Sequence, residues 1–243
     1  MSEFSFQPIG IFESCFVEKF GVPRQSGMAP GARGVIRFRA EFSLAPMFLH
    51  LEGFSHLWVV YLFHKAQNPN HPSAWKATVA PPRIDGPARV GVFASRSPHR
   101  PNPVGLSVVK IEAIRRASDG CMEIEVSGVD VLDGSPVIDV KPYLSYADSI
   151  PGASGGWAEG AIPKFRVVFM KEAAEEAERL GIRTLLEELL EFDPRPRSQR
   201  EAVPIGDPGS VGRQFAFRLR DRDVRWRIAP DSVIEVTGLL SAN

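Results

Sequence analysis

The sequence predicts an antiparallel β-barrel or sandwich in its N-terminal part and a small α+β domain after it. Up to about Tyr146, short apolar runs rich in β-branched and aromatic residues alternate with turn-formers. One longer stretch, residues 171–192, repeats its apolar residues at helical spacing, and three more strand-like runs close the chain. Many short strands with few helices between them favour antiparallel closure over a doubly wound sheet.

The elements follow in order. Residues 6–12 form a first apolar run, and 34–42 alternates through Val35, Ile36, Phe38, Ala40 and Phe42. Residues 46–53 suit a helical turn. The run SHLWVVYLF, 55–63, has the composition of a buried strand. Strands are then expected at 90–93, 106–114, 122–129 and 137–140, with a turn at 117–120. Residues 146–163 are loaded with Gly, Pro and Ser and read as a linker or functional loop. Gly181 splits the helical stretch into two helices. Residues 195–208 form a polar connection, and strands follow at 214–220, 224–228 and 233–239. The expected division is 1–150 for the barrel, 151–170 for a loop and strand, and 171–243 for the C-terminal domain.

The chain has 243 residues, 44% hydrophobic and 24% charged, enough for a sizeable core. It has no apolar run of about 18 residues and no secretory signal pattern, so a cytoplasmic protein with no membrane segment is expected. Cys15 and Cys121 are the two cysteines and read as small buried hydrophobes in a reducing compartment. Histidines 50, 56, 64, 71 and 99 show no H-x-x-x-H spacing, so no metal is expected. The net charge is zero, but it is unevenly spread. Residues 76–110 hold six Lys or Arg and one acid, whereas 171–193 hold eight acids and three bases. A basic middle attracts phosphates even in a neutral molecule.

Three segments carry more charged and turn-forming groups than a core needs. In Lys19-Phe-Gly-Val-Pro-Arg-Gln25, Pro23 fixes the backbone while Arg24 and Gln25 offer donors to a carboxylate or base edge. In Arg96-Ser-Pro-His-Arg-Pro-Asn-Pro103, three prolines stiffen a loop that presents Arg96, His99, Arg100 and Asn102. The third segment, 128–148, crowds Asp130, Asp139, Lys141, Tyr143 and Tyr146 around the turn Asp133-Gly-Ser135. No G-x-G-x-x-G joins a strand to a helix, so a Rossmann cofactor site is not expected.

At these segments the sequence resembles the TsaA-like / TrmO family of tRNA (adenine-N6)-methyltransferases. The matching stretches are FGVPRQ (20–25), FSHLWVVYLFH (54–64), ARVGVFASRSPHRPNPVGLS (88–107) and VSGVDVLDGSPVIDVKPYL (126–144). The resemblance implies an S-adenosylmethionine (SAM)-binding β-barrel unlike the Rossmann architecture, working as a homodimer. The implied reaction methylates N6 of N6-threonylcarbamoyladenosine at position 37 of tRNA, beside the anticodon. Carried over by motif, the SAM contacts fall on Pro23, Arg24, Gln25, His64, Lys65, Arg96, Leu106, Asp133, Gly134, Ser135 and Pro136. Position 65 departs from the expected Gln, and its Lys brings a second cation near a sulfonium.

In the implied substrate N6 is a urea-type nitrogen, a poor nucleophile, so partial proton removal helps. Asp133, Asp139, His99 and Tyr143 are the candidate bases. Arg100, Asn102, Lys141 and Tyr146 are candidate tRNA contacts, with Arg96 and Arg100 able to grip a carboxylate bidentately. The rival expectations are the same fold acting on another substrate, a non-catalytic RNA-binding barrel, and a metal-dependent hydrolase.

Overall fold

The fold is seen in a computed structural model that describes residues 5–66 and 75–242. His71, counted above as a possible ligand, lies outside the described residues.

Six strands close a barrel: β1 (Gly10–Ser14), β2 (Arg33–Phe38), β3 (His56–Leu62), β6 (Val104–Arg116), β7 (Met122–Ser127) and β8 (Ser135–Pro142). Their order is β1-β2-β7-β6-β3-β8, every pair is antiparallel, and closure comes from Gly10 and Phe12 of β1 against Val137 and Ser135 of β8. Alternation puts Phe12, Ile36, Leu57, Val59, Val109, Ile124 and Val137 inside, each at most 1% exposed. Burying a side chain of this size contributes about 1.5–3 kcal/mol. Tyr61 also points inward, and Gly105 on β6 makes room for it. A Cβ built on Gly105 falls 2.3 Å from the Tyr61 ring.

Outside the barrel, β5 (Val90–Gly91), the start of the strand expected at 90–93, pairs with β4 (Thr78–Val79), which was not expected, and Val92–Ala94 turns into a 3-10 segment. A short helix, α1 (Ser145–Asp148), follows β8. The C-terminal sheet has the order β10-β11-β12-β9, with β9 (Arg166–Phe169) parallel to β12. β10 (Gln214–Leu219), β11 (Arg222–Ala229) and β12 (Val233–Ser241) form a meander. α2 (Lys171–Arg179) and α3 (Arg183–Leu190) bury Ala173, Ala177, Leu186 and Leu190. Gly181 (φ +65°) separates them: its N–H donates to Glu178 O while Ile182 N–H reaches Ala177 O, the paired bonds of a Schellman end. No helix among the described residues is long and apolar enough to cross a membrane.

Three further expected elements differ. The first strand begins at Gly10, after Pro8, which has no N–H to donate. β2 ends at Phe38 because Arg39 O accepts Phe42 N–H and turns the chain into a 3-10 segment. The polar connection contains α4 (Arg197–Ala202), supported by the Arg197–Glu201 pair one turn apart.

Candidate functional site

The loop before β2, the end of β3 and the start of β8 meet at one end of the barrel. They enclose a cavity of about 200 Å³ walled by Tyr61 and Phe63, with His64, His99, Asp130 and Ser135 facing it. Asp130 follows the buried Val129 in a chain that has left β7. Its Oδ1 accepts the Ser107 hydroxyl at 2.6 Å, and that hydroxyl lies 3.4 Å from the Tyr61 hydroxyl. Burial holds the Asp130 carboxyl above the ordinary carboxylate value and pushes the Tyr61 phenol upward.

Both histidines favour the neutral ring. Burial, then Lys76 and Lys19, push His99 below its ordinary value. Burial and Lys65 do the same for His64, against a weaker opposing pull from Asp133. Ser135 Oγ donates to Leu132 O at 2.6 Å, so its single proton is committed. His64 Nδ1, 3.3 Å from the same Oγ, therefore carries the ring proton and Nε2 is left as acceptor. Lys65 Nζ donates to Val17 O at 3.2 Å, which ties that cation to the backbone of a neighbouring loop.

Asp133 and Gly134 occupy a tight turn stitched onto the barrel. Asp133 Oδ1 accepts Ser14 N–H at 2.9 Å, its own N–H donates to Phe16 O, and Gly134 (φ +76°) donates to Phe12 O. Both residues also line a cleft with Glu13 and Arg220 on the outer side. Pro136 lies opposite Ile11 on the outward face of the sheet. Leu106 is 54% exposed on that face, in one row with Val60 and Asp139.

The 20–25 segment turns toward the C-terminal domain. Gly21 (φ +83°) sits against the Phe217 ring, where a Cβ would fall 2.4 Å from a ring carbon. Pro23 and Arg24 follow, and Arg24 Nη2 donates to the carbonyls of Asp193 (2.8 Å) and Arg195 (2.9 Å). Burial, then the neighbouring Arg200, lower the Arg24 guanidinium to about 10. Gln25 Oε1 accepts Arg96 Nη1 at 2.6 Å. Arg24, Gln25 and Arg96 line a second cavity, about 930 Å³, between the two domains, and Pro98 lines both cavities.

The remaining predicted residues lie elsewhere. Asp139 and Lys141 pair at 2.8 Å on the outward face of β8, opposite Val60 and Trp58. At about 3.3 Å per residue that is roughly 13–20 Å along β3 from His64. Tyr143 packs on His56 and Trp58, with ring centroids at 6.3 and 6.0 Å. Tyr146 is 85% exposed on α1. Arg100 braces its own loop by donating to Val92 and Ser95 carbonyls, and Asn102 is exposed just before β6. Within one chain, then, His99 and the outer edge of Asp133 belong to the barrel end, and Asp139 and Tyr143 do not. Sequence reasoning singled out Asp130 in the 128–148 segment but not among the bases or SAM contacts, and gave no role to Tyr61 or Phe63, nor to Arg197 and Arg200 of the second cavity. An acid between two buried valines, Val129-Asp130-Val131, was the one legible signal.

Residues 11–149 match the tRNA-methyltransferase O N-terminal domain family and 162–242 match the TrmO C-terminal domain family. A protein of Escherichia coli (strain K12) named tRNA (adenine(37)-N6)-methyltransferase is 38% identical over 245 residues, covering 98% of this chain and 99% of its own. A Mus musculus protein of the same name is 42% identical over 145 residues, 59% of this chain and 31% of its own. A solved structure described as TrmO from Pseudomonas aeruginosa superposes with a TM-score of 0.76 at 34% identity and covers 99% of each chain. With both domains matched in order and a closed barrel carrying the family's motifs, the chain belongs to the tRNA-methyltransferase O (TrmO) family.

Proposed function

We propose that this chain is a SAM-dependent tRNA methyltransferase acting on N6 of N6-threonylcarbamoyladenosine at position 37. The likeness to the E. coli tRNA (adenine(37)-N6)-methyltransferase over nearly the whole of both chains supports the reaction class. The observation that carries the mechanism is the barrel-end cavity, which His99, His64 and Asp130 line together with the Tyr61 and Phe63 rings.

That donor set suits SAM: aromatic faces and carboxylates favour a sulfonium, and the rings accept an adenine. SAM supplies an electrophilic methyl group and leaves as a neutral thioether. His64 and the Asp133–Pro136 turn hold it at the barrel end, and the bonded pair Gln25–Arg96 closes its rim from the border with the second cavity, with Pro23 and Arg24 shaping the loop behind. Lys65 lies at the rim with its Nζ on Val17 O. His99 is our assignment for the base. Its neutral ring takes the N6 proton as that nitrogen gains its new bond to carbon, and the stiff proline loop holds the ring in place. Asp133 is committed to Ser14 N–H and orients the turn.

At about 200 Å³ the cavity is smaller than the ~300–1,000 Å³ usual for small-molecule sites, so it is completed from outside. A homodimer does this. The outward sheet face exposes Ile11, Val104 and Leu106, which suits burial against a second copy. A dimer would bring Leu106, Asp139 and Tyr143 of one copy to the pocket of the other. Arg100, Asn102, Lys141 and Tyr146 are assigned to the anticodon loop. Residues 1–150 form the catalytic barrel, 151–170 a connecting loop and strand, and 171–243 the second domain. The enzyme acts in the cytoplasm without a metal.

The test is transfer of labelled methyl from SAM to tRNA carrying threonylcarbamoyladenosine and to the unmodified transcript. Label in the modified tRNA alone, lost in Arg96→Ala, is the expected result. Equal labelling of both would overturn the substrate, and binding of tRNA without transfer would leave a non-catalytic barrel.

A further inference from the structure

The 930 Å³ interdomain cavity is built, not left over where two domains touch. Arg83 clamps the linker to the 81–87 loop by donating to Ala158 O (2.8 Å) and Gly160 O (3.1 Å) while paired with Asp85. Trp157 Nε1 donates to Ala94 O at 2.8 Å. Arg197 reaches across from α4 to Arg83 O (2.8 Å) and Pro87 O (2.9 Å). Four separate segments are thus tied around one space.

Its lining is unbalanced in charge. Five arginines face it against two aspartates, Asp85 and Asp193, and both are already paired, with Arg83 and Arg195. Among the described residues Arg24 and Arg200 have no carboxylate partner. Arg200 is 8% exposed, donates to Pro82 O, and its buried Nε has no partner. Burial, first of all, lowers both guanidiniums, with Arg200 adding to the shift of Arg24, and the pull of Asp193, already paired with Arg195, offsets it only in part. A buried cation without a counter-charge is expensive, and an anionic ligand relieves it. The same imbalance disfavours a sulfonium here.

The walls are apolar and aromatic. Phe93 is 83% exposed at the mouth, and Trp157, Phe165 and Phe192 lie further round the lining. Such rings accept any base on its π-face while an arginine takes the phosphate. We propose that this cavity is a nucleotide subsite: it receives one unpaired nucleotide of the tRNA, its phosphate between Arg200 and Arg24 and its base against Phe93 and Trp157. The inference rests on the tRNA methyltransferase reading above and adds to it a second place, outside the methyl-transfer cavity, where the RNA is gripped. Its position on the far side of the Pro98 strip lets a neighbour of the reacting nucleotide be held while N6 faces His99.

The test is binding of full-length tRNA to the intact chain, with and without threonylcarbamoyladenosine, beside KM for SAM and for tRNA. Phe93→Ala, at an exposed position that leaves the fold alone, is expected to weaken binding of both tRNAs about tenfold, the loss of one stacked base. Arg200→Gln lowers the slope of log affinity against log salt by about 0.7, one phosphate contact on a single strand. Neither variant moves KM for SAM. Unchanged tRNA binding in Phe93→Ala overturns the subsite, as does a rise in KM for SAM, which would make the cavity the cofactor's. Weakening confined to the modified tRNA overturns the phosphate assignment in favour of the threonyl carboxylate. Where the wild-type chain binds tRNA but transfers no methyl, the function falls and these binding results still decide the subsite.

Discussion

The two cavities that meet at Pro98 differ in how they are made. The barrel-end cavity takes most of its groups from strand ends and from turns stitched to strands, His64 after β3, Ser135 opening β8 and Asp130 tied to Ser107 on β6, and takes His99 from a loop that three prolines stiffen. The interdomain cavity takes its charged groups from loops and a six-residue helix, held by arginines that donate to backbone carbonyls. Chemistry needs fixed side chains, which a barrel's register supplies. Grip on a long polymer needs reach and positive charge, which arginines on loops supply.

The contrast is sharpest in rate. His99→Ala is expected to lower kcat about 10²–10⁴-fold with KM for tRNA little changed, measured under single-turnover conditions. The working form is the neutral ring, and burial and the lysines favour it. The acid limb of kcat/KM therefore lies below the ordinary histidine value of 6.5 and disappears in the variant. A limb that persists in His99→Ala would move the base to Asp130.

Stability separates the regions next. Arg195 and Asp193 are 3% and 4% exposed and bond at 2.7 Å, with the guanidinium 4.4 Å from the Phe215 ring centroid. Arg195→Met leaves Asp193 buried without its partner and should cost about 3–5 kcal/mol in chemical denaturation. In the barrel, Gly105→Ala drives a methyl into Tyr61 and should cost about 1–3 kcal/mol, read as a lower Tm.

The smallest effect on stability is expected at Asp139. Its pairing with Lys141 is exposed, so Asp139→Asn should leave stability within about 0.5 kcal/mol. Its kcat should nevertheless fall, because the proposed dimer brings this face to the pocket of the second copy. A kcat within about threefold of the wild-type chain would take Asp139 out of that pocket.

Much of this was legible in the sequence. Alternation along 34–38 and 55–63, and the turn residues between runs, located the barrel strands because burial on one face imposes a period of two. The proline-stiffened Arg96–Pro103 loop announced itself by composition. Strand β4 did not, because two residues carry no period. Nor did the split between Asp139 and His99: they are 40 positions apart in sequence, and only barrel register shows that one faces out. The interdomain cavity was least legible, since its ties run from arginines to main-chain carbonyls, which every residue possesses.

Those carbonyl ties bear on how such a chain can change over generations. Arg24 reads the main-chain oxygens of Asp193 and Arg195, not their side chains. Many replacements at neighbouring positions would leave that handhold intact, whereas inserting or deleting one residue between α3 and α4 would slide both oxygens out of reach. At this joint the heritable constraint falls on chain length more than on residue identity.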